Sequence, residues 1–160
     1  MEELDSGIIR GSLPTLGGTY VLVLQSDSGA RIRVGKLGNM MLRPGFYLYV
    51  GSAFGPGGLR SRVGRHATRH KPLRWHVDYF RKHVLLRAVV FSVDPECHED
   101  AWSGQIQAWP ETSIPMTGFG ASDSPAETHL FYLEARPSGA WFEALEGTAI
   151  QILDSGLVED

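Results

Sequence analysis

Cys97 is the only cysteine in the chain. That excludes an intramolecular disulfide and a zinc cage built from cysteines, and it fits a reducing compartment. No apolar run is long enough to span a bilayer. The opening Met1-Glu2-Glu3-Leu4-Asp5 has neither the basic nor the apolar region of a secretory signal. A cytoplasmic protein with no membrane association is therefore expected. There is no internal repeat and no low-complexity run. Net positive charge is missing as well: the formal charge is −3, which weighs against a general polyanion binder.

What is present is an ordinary globular composition. The 160 residues are 42% hydrophobic and 21% charged, enough for one domain with a proper core. The charge is unevenly spread. Acids dominate the two ends, while the stretch from Arg60 to Arg87 carries nine cations against Asp78 alone, with His66, His70, His76 and His83 among them. A local patch, more than net charge, is what a polyanion feels within a Debye length.

Next to that patch lies the most informative stretch. Gly45 to Ala53 has strand composition, with Tyr47 and Tyr49 on one face and Phe46, Leu48 and Val50 on the other. Gly55, Pro56, Gly57 and Gly58 then break either regular period. A helix starting near Leu59 places Arg62 and His66 four apart on one face. The loop lacks the Gly-Lys-Ser/Thr ending of a P-loop and the spacing of a dinucleotide fingerprint.

The remaining pattern reads in order. Residues 1–16 form a loosely packed lead-in. Residues 18–25 and 30–35 read as a hairpin of strands, with Arg31 and Arg33 on its wet face. Residues 36–41 are a connector. The helix from Leu59 extends to about His70, stopped by Pro72. A second helix falls near Trp75–Lys82. Residues 84–93 are the most apolar strand. Asp94 and Pro95 signal a helix over 95–109. Residues 128–133 form a last strand, and residues 140–146 a short terminal helix. The sum is an α+β domain: a mostly antiparallel sheet of four to five strands flanked by helices.

The strings Gly18-Thr19-Tyr20 and Tyr49-Val50-Gly51, with Leu59, Arg62 and His66 spaced behind them, resemble the opening of the GIY-YIG nuclease superfamily. Longer strings resemble one branch of it, a domain family of unknown function. These include Gly45–Ala53, Gly55-Pro56-Gly57-Gly58-Leu59, Arg65-His66, Trp75-His76-Val77-Asp78-Tyr79 and Phe119-Gly120-Ala121-Ser122-Asp123. The resemblance covers residues 17–133 and leaves 1–16 as a lead-in and 134–160 as a C-terminal extension. It departs from the superfamily in a longer gap between the tyrosine motifs and in Thr19 at an aliphatic position.

The resemblance implies catalytic roles for Tyr20, Tyr49, Arg62 and His66. It also implies one Mg²⁺ or Mn²⁺ held by a glutamate on a later helix, with Glu96 the first choice and Glu99 the fallback. Arg60, Arg65, Arg69, Lys71 and Arg74 are expected to bind nucleic acid as a positive rim. His76, Asp78, Asp123 and His129 either line the same cleft or are internally satisfied. Three functions stay open: a divalent-metal nuclease acting on DNA, possibly in repair; a nucleic-acid-binding module that has lost the chemistry; and a ligand- or protein-binding domain with no polyanion partner.

Overall fold

The computed structural model describes residues 3–155. Met1, Glu2 and residues 156–160, the ends of the lead-in and of the C-terminal extension, lie outside the described residues. In chain order the elements are α1 (Ser6–Ser12), β1 (Thr19–Ser26), β2 (Ala30–Val34), β3 (Gly38–Leu42), β4 (Gly45–Ser52), α2 (Gly58–Ala67), α3 (His76–Arg81), β5 (Leu85–Ser92), α4 (Glu99–Gln107), β6 (Leu130–Leu133), α5 (Gly139–Glu143) and β7 (Gln151–Asp154). Five strands make one antiparallel sheet in the order β6-β4-β1-β5-β7. Among the described residues, no helix is long and apolar enough to cross a membrane.

β1 is apolar at nearly every position because both its faces are covered. Tyr20, Leu22 and Leu24 join a core with Tyr47, Tyr49, Val63 and Phe80. Val21 and Val23 join a second core on the other face with Trp102, Ile106 and Phe142. Helices α1, α2 and α3 thus contribute to the first face, and α4 and α5 to the second. A bulge between Val23 and Leu24 shifts the pairing with β5, so Leu86 and Val89 share the first face although three apart.

Four expectations change. The lead-in is not loose: Asp5 caps α1, and Leu4, Ile9 and Leu13 are buried. β2 does not join the main sheet. It pairs with β3, the expected connector, in a separate two-stranded ribbon. A three-residue turn at Gly35–Leu37 reverses the chain between them. α2 stops at Ala67, not His70. Thr68 is extended and closes the helix by donating through Oγ1 to the Gly64 carbonyl at 2.9 Å. Finally, β7 supplies an edge strand that no sequence signal marked.

Candidate active site at the shared end of β1 and β4

The register sets Tyr20 opposite Gly51 and Leu22 opposite Tyr49. Both tyrosines therefore project from the same face at the end of the strand pair. A Cβ on Gly51 would stand 2.5 Å from Tyr20 Cζ, so the missing side chain is what lets the Tyr20 ring lie there. The glycine loop that follows carries the chain into α2, which delivers Arg62 and His66 to that face. Tyr20, Tyr49, Arg62 and His66 all line one open cleft of about 620 Å³.

The groups touch one another. The Tyr20 hydroxyl lies 2.7 Å from His66 Nε2. Tyr49 and His66 meet edge to face at 5.9 Å between centroids. The Arg62 guanidinium donates to the Ser52 carbonyl at 3.1 Å and stands 4.7 Å over the Trp75 ring. With five donors on the fork, these contacts still leave N–H groups for a ligand. His66 is fully buried, and its Nδ1 has no hydrogen-bond partner among the described residues. Burial pushes its pKa down to about 3, with Lys71, Arg62 and Arg65 adding to the effect and Asp78 opposing it. The ring is neutral at ordinary pH. Burial likewise pushes both phenols up. For Tyr20 the neighbouring Tyr49 adds to this, and for Tyr49 the charge of Glu99 does; Arg62 opposes in both cases. Neither phenol is a preformed phenolate.

Three carboxylates line the cleft, Glu99 and Asp100 from the first turn of α4 and Asp123 from a later loop, and Glu99 is the one bonded to β4. Ser52 Oγ donates to Glu99 Oε1 at 2.6 Å, and His129 Nδ1 is 3.0 Å from Oε2. Burial works against the Glu99 charge, yet the bonds from His129 and Ser52 outweigh it and hold its pKa below the ordinary value. His129 is pushed the opposite way: burial disfavours its charge, but Glu99 and Asp100 raise its pKa. Asp100 and Ser124 complete this wall, joined by a 2.6 Å bond from Ser124 Oγ.

Glu96 is not in the cleft. Its backbone N–H is taken by Asp94 Oδ1 in a turn before the helix, and its side chain is exposed beside Asp94 and His98. Those three offer donor atoms within 4.8 Å of one another, but His98 is already paired through both nitrogens, to Asp94 and to Glu146. The glutamate positioned to hold a cleft metal is the fallback, Glu99. A hard cation such as Mg²⁺ or Mn²⁺ needs only one or two carboxylates and keeps waters. Ser52 takes one lone pair of Glu99 Oε1, and the His129 ring faces Oε2 across a 3.0 Å ion pair, so each oxygen keeps a lone pair for an ion. The donor set fits.

The expected positive rim is mostly spent on the fold. Arg65 pairs with buried Asp78 at 2.8 Å. Arg69 pairs with Glu3 and donates to the carbonyls of Arg81 and Val84. Lys71 donates to the carbonyls of His66 and Thr68, and Arg60 to that of Leu13. Of these five residues only Arg74 lines the cleft.

Sequence reasoning gave no role to Ser52 or Asp100 and left His129 and His76 open. The signal for His129 was its place directly before the apolar run Leu130–Leu133, at the sheet edge next to β4. Asp123, also left open, borders the cleft on the loop that carries Ser122 and Ser124.

A family model described as "Domain of unknown function DUF123" matches residues 19–148. No curated protein and no solved structure matches the chain.

Proposed function

The chain belongs to the DUF123 family, and from that premise we propose that the cleft is the active site of a divalent-metal-dependent nuclease of GIY-YIG type acting on DNA. The observation that carries this reading is the meeting of Tyr20, Tyr49, Arg62, His66 and Glu99 in one open cleft. Hydrolysis forms a bond from a water oxygen to phosphorus and breaks the bond from phosphorus to the leaving sugar oxygen. One proton leaves the water and one ends on the leaving oxygen. The site therefore needs an oxyanion donor and a route for protons.

Arg62 fills the first need, because its guanidinium fork binds two phosphate oxygens and meets the charge that grows on them. Its perch on Trp75 fixes its direction before substrate arrives. Tyr49 and Tyr20 are neutral phenols, so they act as hydrogen-bond donors and proton carriers. Tyr20 is tied to His66, a neutral ring that fixes the direction of the phenol. Glu99 would hold the ion, which when bound supplies positive charge against the phosphate oxygens. Ser52 and His129 fix the direction of that carboxylate.

The competing reading is a nucleic-acid-binding module without turnover. What favours it is that Glu99 is already engaged on both oxygens and that both phenols are pushed away from ionisation. The test is cleavage of duplex, nicked, branched and single-stranded DNA with Mg²⁺ or Mn²⁺, by wild type and Glu99→Gln. Wild-type cleavage that the variant lacks supports the nuclease. Salt-sensitive binding with no cleavage supports the module.

A further inference from the structure

His76 is the first residue of α3 and lines the cleft beside Arg74 and Trp75. Its Nδ1 accepts the backbone N–H of Gly120 at 2.8 Å. A backbone amide can only donate, so this nitrogen carries no hydrogen. In a neutral imidazole the hydrogen must then sit on Nε2. The ring is further held by an edge contact with Phe119 at 5.7 Å between centroids.

Gly120 is itself fixed in place. It has φ +68°, and a Cβ there would stand 3.0 Å from the Tyr49 ring. The loop around it is thus seated on a cleft tyrosine, and His76 is the peg that ties it to α3. Burial lowers the pKa of His76, which keeps the ring in the form that accepts from Gly120. No hydrogen bond joins His76 Nε2 to any described residue.

We propose that His76 donates a hydrogen bond from Nε2 to a phosphate oxygen of the substrate, with Gly120 selecting the tautomer that makes this possible. The proposal rests on the reading of the cleft as a phosphodiester site. Arg62 and Arg74 draw the anion in, and His76 gives a neutral donor that orients it without adding charge.

The two nitrogens can be separated by substitution. An asparagine amide reaches the place of Nδ1 and a glutamine amide the place of Nε2. His76→Asn therefore keeps the Gly120 anchor and loses the donor, and His76→Gln does the reverse. The measurement is long-range proton–nitrogen NMR of the imidazole in the full chain, titrated with inorganic pyrophosphate and with a short single-stranded oligonucleotide without added metal. The expected wild-type result is an Nε2–H tautomer whose nitrogen shifts on adding either ligand.

His76→Asn should bind the oligonucleotide roughly tenfold more weakly, the worth of one bond to a charged oxygen, with the Gly120 amide still protected from exchange. His76→Gln should keep affinity within a few-fold and lose that protection. An Nδ1–H tautomer, or His76→Asn binding like wild type, overturns the proposal. A nitrogen shift with pyrophosphate but no oligonucleotide binding leaves His76 an anion donor and removes the nuclease reading instead.

Discussion

The Tyr20 hydroxyl and His66 Nε2 lie 2.7 Å apart, and both side chains are buried. This bond joins the central strand to the helix behind the glycine loop. His66 Nδ1 already has no partner among the described residues, so Tyr20→Phe would leave both ring nitrogens unsatisfied. The expected cost is about 1–3 kcal/mol, read from urea denaturation with an unchanged m-value.

Gly51→Ala tests the seat of Tyr20. The added methyl falls on the phenol ring, and the ring cannot swing away without breaking its bond to His66. Overpacking of this kind costs about 1–3 kcal/mol. The double variant Gly51→Ala, Tyr20→Ala should lose less than the sum of the single changes, because removing the ring removes the clash.

Arg62→Ala should lower turnover about a hundredfold to a thousandfold, as expected for loss of one preorganised donor, while oligonucleotide binding falls much less. Arg74→Ala should show the opposite pattern, with weaker binding and a preserved kcat. Arg69 is unsuitable as a control because its side chain holds Glu3 and two backbone carbonyls. Chelation with EDTA should abolish wild-type cleavage, and Mn²⁺ should restore it. Steady-state kinetics at two salt concentrations separate these outcomes.

Stability should fall as acid is added, and His66 sets where this begins. Its folded pKa is about 3 against 6.5 when unfolded. Above pH 6.5 the ring is neutral in both states and contributes nothing. Between 6.5 and 3 only the unfolded chain takes up the proton, so stability drops by up to about 1.4 kcal/mol per pH unit. Asp78 acts later. Burial opposes its charge, but the bonds from Arg65 and from the Trp75 and Arg74 amides prevail and hold its pKa below 3.8. Its stabilisation is present above that value and lost below it. His129, with a raised pKa, works the other way, contributing below 6.5 and fading as pH rises. Urea midpoints of wild type and His66→Gln at pH 7.5, 5.5 and 4.5 isolate the first effect: the gap between them should move in favour of the variant as pH falls.

Glu3→Gln should destabilise the fold by about 3–5 kcal/mol. Arg81 is 2% exposed, and Glu3 is its carboxylate partner. The same carboxylate accepts from the Leu86 amide. Thermal melts of the variant check this, and Glu3→Ala serves as a second change at the same position.

The sheet strands were legible where both faces are apolar, as in Val21–Leu24 and Ala88–Phe91, because burial on two sides leaves a continuous signal in the sequence. The cleft side chains Tyr20, Tyr49, Arg62 and His66 were legible from spacing across a glycine loop. Glu99 was legible only as a fallback. Asp94 and Pro95 look like a helix start, yet Asp94 Oδ1 bonds the Glu96 amide in a turn, and Thr19 Oγ1 takes the His98 amide. That second bond reaches across the fold, and no local pattern encodes it. β2 was read rightly as a strand, but its partner was not, and β3 was taken for a connector, for a related reason: turn residues precede β2 and also separate it from β3, and composition does not say which turn becomes the hairpin. The lead-in failed because its order depends on Glu3 finding Arg81 and Arg69, far away in sequence.

The place of β1 in the sheet also bears on how the chain is made. Thr19 lies opposite Ser52 on one side and Ser92 on the other. During synthesis the central strand therefore leaves the ribosome before both of its flanks and waits through two rounds of chain growth for them. Until the segment ending at Ser92 emerges, one edge of Val21-Leu22-Val23-Leu24 stays open. An apolar open edge is a template for pairing with another nascent chain, so this protein is most prone to aggregate while it is being translated.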